Sequence, residues 1–300
     1  MLKRLLIALL ILVTGTAALI YGRNFLVQTA PIKDSALTAT IKLPDIKIFQ
    51  RTVAPEGTKL KMPIDAGIFN AGTLWVPVIV YHHIGTAPSN LSSADQSMFI
   101  KPEWFEKHVK YLKDNGFETI HFSDLDIYFN KGTPLPVKRP VIISFDDGNG
   151  TGYTKAFPIL QKYGMTGTYF VITNYVGHGS HLTWDQIKEM GAAGMEIGSH
   201  TLSHPFLTKS LRLKEELVQS KKILEDNLGV TISTFAYPYG IYDEKTVALA
   251  KEAGYTTARS FTTGNGISTG NLFEIPVVRI YANIGLDRWN KQLFASGKPE

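Results

Sequence analysis

From Trp75 onward, short runs rich in β-branched residues alternate with stretches whose apolar residues recur every three or four positions. This is the pattern of strands and amphipathic helices in turn. The strand runs are Val76–Tyr81, Val141–Phe145, Gly167–Ile172, Met195–Gly198, Ser233–Tyr237, Thr256–Phe261 and Pro276–Tyr281. The spacing predicts helices over Pro102–Asn115, Tyr153–Tyr163, Thr183–Met190, Lys209–Leu228 and Tyr242–Ala253. The clearest carries Leu213, Leu217, Leu224 and Leu228 on one stripe and stops at Gly229. Strands alternating with helices imply an α/β domain with a largely parallel sheet, which right-handed crossovers curl into a barrel or a strongly twisted open sheet. In either case the residues just past the strand ends share one rim.

The chain begins differently. Lys3 and Arg4 precede an uncharged run from Leu5 to Tyr21, which Gly22 and Arg23 close. At about 1.5 Å per residue the run covers roughly 25 Å, just short of a ~30 Å hydrocarbon core. Residues 1–24 are therefore expected to be a signal anchor or signal peptide, with the basic end in the cytoplasm and the rest of the chain outside. Thr16-Ala17-Ala18 is a weak cleavage signal, which favours the uncleaved anchor. Residues 25–73, interrupted by Pro31, Pro44, Pro55 and Pro63, read as a spacer and irregular extension, and residues 74–300 as the α/β domain.

Composition narrows the chemistry. There is no cysteine among the 300 residues, so disulfides, thiolate metal sites, a thiol nucleophile and a lipidated cysteine are excluded. Any metal must rest on nitrogen and oxygen. The net charge of +5 is not gathered into a basic run, so nucleic acid is not an expected partner, whereas an anionic cell surface is compatible.

The polar residues past the strand runs are His82 and His83, Asp146 and Asp147, Ser199 and His200, and Tyr237 to Tyr239. Asp146-Asp147, between Phe145 and Gly148, puts two carboxylates at a strand end, which is costly unless a cation lies near. Asp-Asp-Gly is also good turn chemistry by itself. His200 and His204 stand at i, i+4, a spacing that on a helical turn presents both imidazoles to one point. With a carboxylate on the same rim they form a candidate N/N/O metal site. Thr201 stands where a zinc protease helix would carry its glutamate, so that mechanism lacks its base. His108, His121, His178 and His181 pair with nothing at ligand spacing and read as solvated or structural.

Ser144-Phe145-Asp146-Asp147-Gly148, Ser199-His200-Thr201-Leu202-Ser203-His204-Pro205 and Phe235-Ala236-Tyr237-Pro238-Tyr239-Gly240 resemble, in order and spacing, the first three motifs of the NodB-homology polysaccharide deacetylases, carbohydrate esterase family 4. The resemblance runs from about Leu74 to Tyr281. It implies a distorted (β/α) barrel and the removal of N-acetyl groups from N-acetylglucosamine residues of an extracellular or cell-wall polysaccharide. It implies Asp146 as general base, and Asp147, His200 and His204 as ligands of a divalent metal, most often zinc, a ligand set that also accepts cobalt, nickel or iron. It further implies an oxyanion donor in the backbone N–H of Tyr239, with Tyr237 of the same motif expected at the substrate site; Trp184, after Leu182-Thr183, reads equally as a wall of the acetyl pocket or as a core aromatic at a helix start.

Two departures refine it. No histidine follows His204, so the usual C-terminal acid is missing. The chain is similar instead to the exported branch acting on poly-β-1,6-N-acetylglucosamine, in which a Tyr-His motif on the first strand supplies the acid. His82 is the candidate, with His83 its twin on the opposite side of the strand. Ala236 stands where many relatives carry an arginine bracing the catalytic aspartate, and Arg279 is expected to replace it. Two other readings compete: a surface-anchored glycan-binding homologue without turnover, and a metal amidohydrolase acting on a small non-sugar amide. The first needs neither base nor acid, and the second fits poorly with an outward-facing chain.

Overall fold

The computed structural model describes residues 68–70 and 72–281, together with Leu286, Trp289, Lys291 and Leu293. The expected membrane segment, residues 1–24, and nearly all of the extension lie outside them. Among the described residues no helix is long and apolar enough to cross a membrane.

Seven strands form the body of the domain: β1 (Val78–Tyr81), β2 (Pro140–Phe145), β3 (Thr168–Val171), β4 (Glu196–Ser199), β5 (Thr234–Ala236), β6 (Thr257–Thr263) and β7 (Ile275–Arg279). Each pairs in parallel with the next, and β7 returns to β1 through Val278 opposite Ile79. The sheet is therefore a closed barrel, which decides between the two architectures the pattern allowed. Alternate residues feed two cores. Val78, Val80, Ile142, Phe170, Ala236 and Val277 belong to one cluster with Phe122 and Leu125. Ile79, Tyr81, Val141, Ile143, Phe145, Val171, Phe235 and Tyr237 belong to another, with the apolar faces of the helices.

Among the described residues, the helices of more than four residues are α1 (Pro102–Asp114), α2 (Phe122–Lys131), α3 (Phe157–Lys162), α4 (Trp184–Ala192), α5 (Leu213–Leu228) and α6 (Glu244–Glu252). The predicted Tyr153–Tyr163 helix is split into a π-turn at Gly152–Ala156 followed by α3; the wide turn falls where Pro158 has no N–H to give the preceding turn. Helix α5 starts four residues later than expected because Leu207–Lys209 folds as a separate 3-10 turn. It stops as expected, with Gly229 left-handed at φ 68°.

Helix α2 was not foreseen. Its first two amides, at Phe122 and Ser123, donate to the carboxylate of Glu196, the first residue of β4, at 2.9 and 3.0 Å. That contact ties α2 to the N-terminal end of the barrel, opposite the rim that carries the chemistry.

Candidate active site

Strands β1 and β2 run in register, with Tyr81 opposite Phe145. The next residues along, His82 and Asp146, therefore emerge side by side, and the amide of Asp146 donates to the Tyr81 carbonyl at 3.0 Å. His82 Nε2 lies 3.7 Å from Asp146 Oδ2. His83 turns away: its ring stacks flat on Phe99, 4.1 Å between centroids, where a short parallel pair binds it. Of the two adjacent histidines, only His82 meets the carboxylate.

Asp146 is buried, and its partner is an arginine that pattern reading missed. Arg259 Nη2 donates to Asp146 Oδ1 and Oδ2 at 2.5 and 2.6 Å. Arg259 sits on β6 opposite Ala236 of β5, so the small side chain at Ala236 leaves room for an arginine supplied by the neighbouring strand. The guanidinium lies over the rings of Phe170 and Phe261, at 5.2 and 5.7 Å, which helps offset its burial. The expectation for Arg279 is corrected: it ends β7 with its guanidinium 5.3 Å from the Phe261 centroid, and its Nε is buried without an acceptor. A lone charge within the strand run Thr256–Phe261 was the available signal for Arg259. Burial by itself would raise the Asp146 carboxyl, but the charge of Arg259, with smaller contributions from His200 and His82, outweighs it and holds the group below the usual carboxylate range.

The second cluster lies alongside. Asp147 Oδ1 is 3.6 Å from both His200 Nε2 and His204 Nε2, and the two Nε2 atoms are 3.1 Å apart. His200 Nδ1 lies 2.8 Å from the Ala236 carbonyl. A carbonyl only accepts, so Nδ1 carries the proton and Nε2 presents a bare lone pair to the cluster. Burial pushes His200 down to about 4, and burial also lowers His204 although Asp147 and Asp146 oppose it. Both rings are thus neutral near pH 7. Two lone-pair nitrogens and a carboxylate oxygen, mutually within 4.8 Å, fit a divalent cation better than they fit each other.

The imidazoles do not converge by sitting on a helical turn, as their spacing suggested. They sit on a loop, and the four non-glycine residues with positive φ among those described are all here: Asp147 (68°), Thr201 (71°), His204 (59°) and Tyr239 (59°). Left-handed backbone costs of order 1–2 kcal/mol at each such residue and must be held by its surroundings. Glu216 of α5 does much of the holding, accepting from the amides of Leu202 and Ser203 at 3.0 Å each and from the Ser203 hydroxyl at 2.6 Å. Thr201 Oγ1 accepts from the His204 amide at 2.9 Å. After Tyr239 the chain must pass tight against β6, since a Cβ at Gly240 would lie 2.1 Å from that of Phe261.

The remaining expected residues divide. Tyr239 lies beside His204, their rings 4.6 Å apart. Trp184 opens α4 after the Thr183 cap and packs half-buried against the apolar core. Tyr237 is corrected: it is 1% exposed and donates its hydroxyl to the Phe273 carbonyl at 3.0 Å, so it belongs to the core between barrel and helices. His108 is buried on α1, while His121, His178 and His181 lie outside the cluster.

A family model described as polysaccharide deacetylase matches residues 135–258. The Bacillus subtilis polysaccharide-deacetylase-type protein YxkH is 31% identical over 207 residues, 68% of this chain and 71% of its own. A Staphylococcus aureus poly-β-1,6-N-acetyl-D-glucosamine N-deacetylase is 31% identical over 192 residues, 59% of this chain and 66% of its own. The solved structure of the Streptococcus pyogenes deacetylase PplD with acetate superimposes at a TM-score of 0.67 and 28% identity, over 73% of this chain and 97% of that one.

Proposed function

The chain belongs to the polysaccharide deacetylase family, and from that premise we propose that it removes N-acetyl groups from N-acetylglucosamine residues of an extracellular or cell-wall polysaccharide, releasing acetate, with a bound divalent metal. The observation that carries this reading is one arrangement: an arginine-held carboxylate with an imidazole 3.7 Å away, beside a converging N/N/O donor set. A glycan-binding surface needs neither the acid–base pair nor the ligands. The named activity of the staphylococcal relative supports poly-N-acetylglucosamine as the substrate class. The uncharged run between basic flanks supports an enzyme facing outward, anchored by residues 5–22 or released after cleavage.

Amide hydrolysis needs an activated water, a stabilised oxyanion and a proton for the leaving nitrogen. Asp146 takes the water's proton; Arg259 keeps its carboxylate ionised and oriented, with Oδ2 on the side of His82. His82, when protonated, delivers the proton to the departing amine from Nε2. Asp147, His200 and His204 would hold the cation, which when bound supplies Lewis acidity toward the acetyl carbonyl. The backbone N–H of Tyr239 is the protein's own donor for the oxyanion, set by the left-handed turn at that residue.

The test is acetate release from poly-β-1,6-N-acetylglucosamine, chitin oligomers and peptidoglycan, with Asp146→Asn alongside. Release from the first polymer above the others, lowered at least about 10³-fold by the substitution, is expected. Release from none of them, or release indifferent to Asp146→Asn, would overturn the reading.

A further inference from the structure

We propose that Phe261 is a positioning residue for the proton donor: its ring holds the His82 imidazole beside Asp146, so that one strand, β6, orients both partners of the acid–base pair. The proposal rests on the deacetylase reading and adds to it the residue that keeps His82 in place. A histidine that delivers a proton must stand where the leaving nitrogen arrives, and it is commonly oriented by a hydrogen bond at its other ring nitrogen. His82 has no such bond. Among the described residues no protein group hydrogen-bonds either ring nitrogen, and Nε2 stands 3.7 Å from Asp146 Oδ2, too far for one. What the imidazole does meet is the ring of Phe261, 6.1 Å between centroids and inclined at 63°, the edge-to-face arrangement that aromatic pairs favour.

Phe261 is itself held firmly. Its stem lies against the turn after Tyr239, where a Cβ at Gly240 would come 2.7 Å from the Phe261 backbone nitrogen. The guanidinium carbons of Arg279 and Arg259 lie 5.3 and 5.7 Å from its centroid, within the range of cation–π attraction. The ring packs, partly buried, against the cluster that contains Val80 and Ala236. Arg259 and Phe261 stand two positions apart on β6, a spacing that puts side chains on one side of a strand. The first holds the Asp146 carboxylate and the second meets His82. Arg279, whose Nε has no acceptor, thereby gains a place: it braces the ring that braces the proton donor. The step served is the departure of the amine. As the acetyl C–N bond breaks with its electron pair left on nitrogen, the proton on His82 Nε2 moves to that nitrogen, and free amine and acetate result. An imidazole that swings off this line by about an ångström loses most of the help it gives.

The test is kcat and KM for acetate release from the N-acetylglucosamine hexamer by the parent, Phe261→Leu, Phe261→Tyr, His82→Ala and the double variant His82→Ala with Phe261→Leu. Phe261→Leu is expected to lower kcat about 10²-fold with KM within about threefold, and Phe261→Tyr, which keeps the ring, to recover most of the loss. Once His82 is gone there is nothing left to position, so Phe261→Leu should cost the His82→Ala protein less than about twofold. An equal loss in that background would show the ring acting through Arg259 or the Tyr239 turn instead. That result, or a parent-like kcat in Phe261→Leu, would overturn the proposal while leaving the deacetylase reading intact. Should the parent release no acetate, that reading fails, and the His82 ring protons, assigned by NMR against His82→Ala, decide the positioning separately. Signals that move in Phe261→Leu and return in Phe261→Tyr support it, and signals that stay in place refute it.

Discussion

His108, between α1 and the barrel, and His200, at the rim, are both buried imidazoles that burial holds neutral, at about 3 and about 4 respectively. Their surroundings make them different objects. His108 Nδ1 faces the Tyr81 hydroxyl at 3.1 Å, its ring stacks on Trp289 at 4.7 Å, and its Nε2 finds no partner. His200 has its Nδ1–H taken by a carbonyl and aims Nε2 at a second imidazole and a carboxylate. A depressed pKa therefore does not distinguish a structural histidine from a ligand; the group facing the free nitrogen does.

The comparison sharpens first at Asp146. Arg259→Met leaves a buried carboxylate without its cation, which is expected to cost about 3–5 kcal/mol of stability, read by urea unfolding. Because Arg259 lowers the Asp146 carboxyl, its loss also moves the acid limb of the kcat/KM profile to higher pH. Arg279→Met is expected to leave that limb in place. A next, smaller effect is expected at the loop support. Glu216→Gln removes the charge that three groups of the His200–His204 loop donate to, and metal affinity measured by competition with a chelator should weaken 10–100-fold, with a lower melting temperature for the metal-free protein.

The smallest effect separates the two imidazoles by pH. An unfolded histidine titrates near 6.5, so below that value the unfolded metal-free chain takes up protons that folded His108 and His200 refuse. Stability is full above pH 6.5 and falls as pH drops toward the folded values, by about 2 kcal/mol per imidazole between pH 7 and 5. The lowered Asp146 adds loss in the same direction, below the usual carboxylate range. His108→Leu should flatten the slope of the urea midpoint with pH without altering metal affinity. A slope that His108→Leu leaves unchanged would contradict the assignment.

What could be read in the chain follows from where the information lies. The strands were legible because runs such as Val141–Phe145 bury every residue, and the ligand residues because two imidazoles four apart and an Asp-Asp pair follow strand runs in the order and spacing of known motifs. Barrel closure was not, since it depends on β7 finding β1, a pairing without a local signal. Left-handed Thr201 and His204 were equally silent, because a β-branched residue disfavours that backbone, a histidine adopts it in too few places to signal it, and a remote carboxylate, Glu216, holds the loop. Tyr237 was misplaced because motif adjacency does not reveal the side of a strand: Ala236 faces one core and Tyr237 the other. Helix α2 escaped because His121, not a usual cap residue, closes the box with Asp124, whose carboxylate accepts from the His121 amide at 2.7 Å.

The central claim is that the rim cluster, and not the buried histidine of the helix layer, runs a metal-dependent deacetylation. The direct measurement is acetate release from the N-acetylglucosamine hexamer by parent, His200→Ala and His108→Leu proteins, each after chelation and after zinc is returned. Chelation is expected to abolish release by the parent, zinc to restore it in the parent and in His108→Leu, and His200→Ala to stay inactive. Release that survives chelation, or activity restored by zinc in His200→Ala to the parent level, would contradict it.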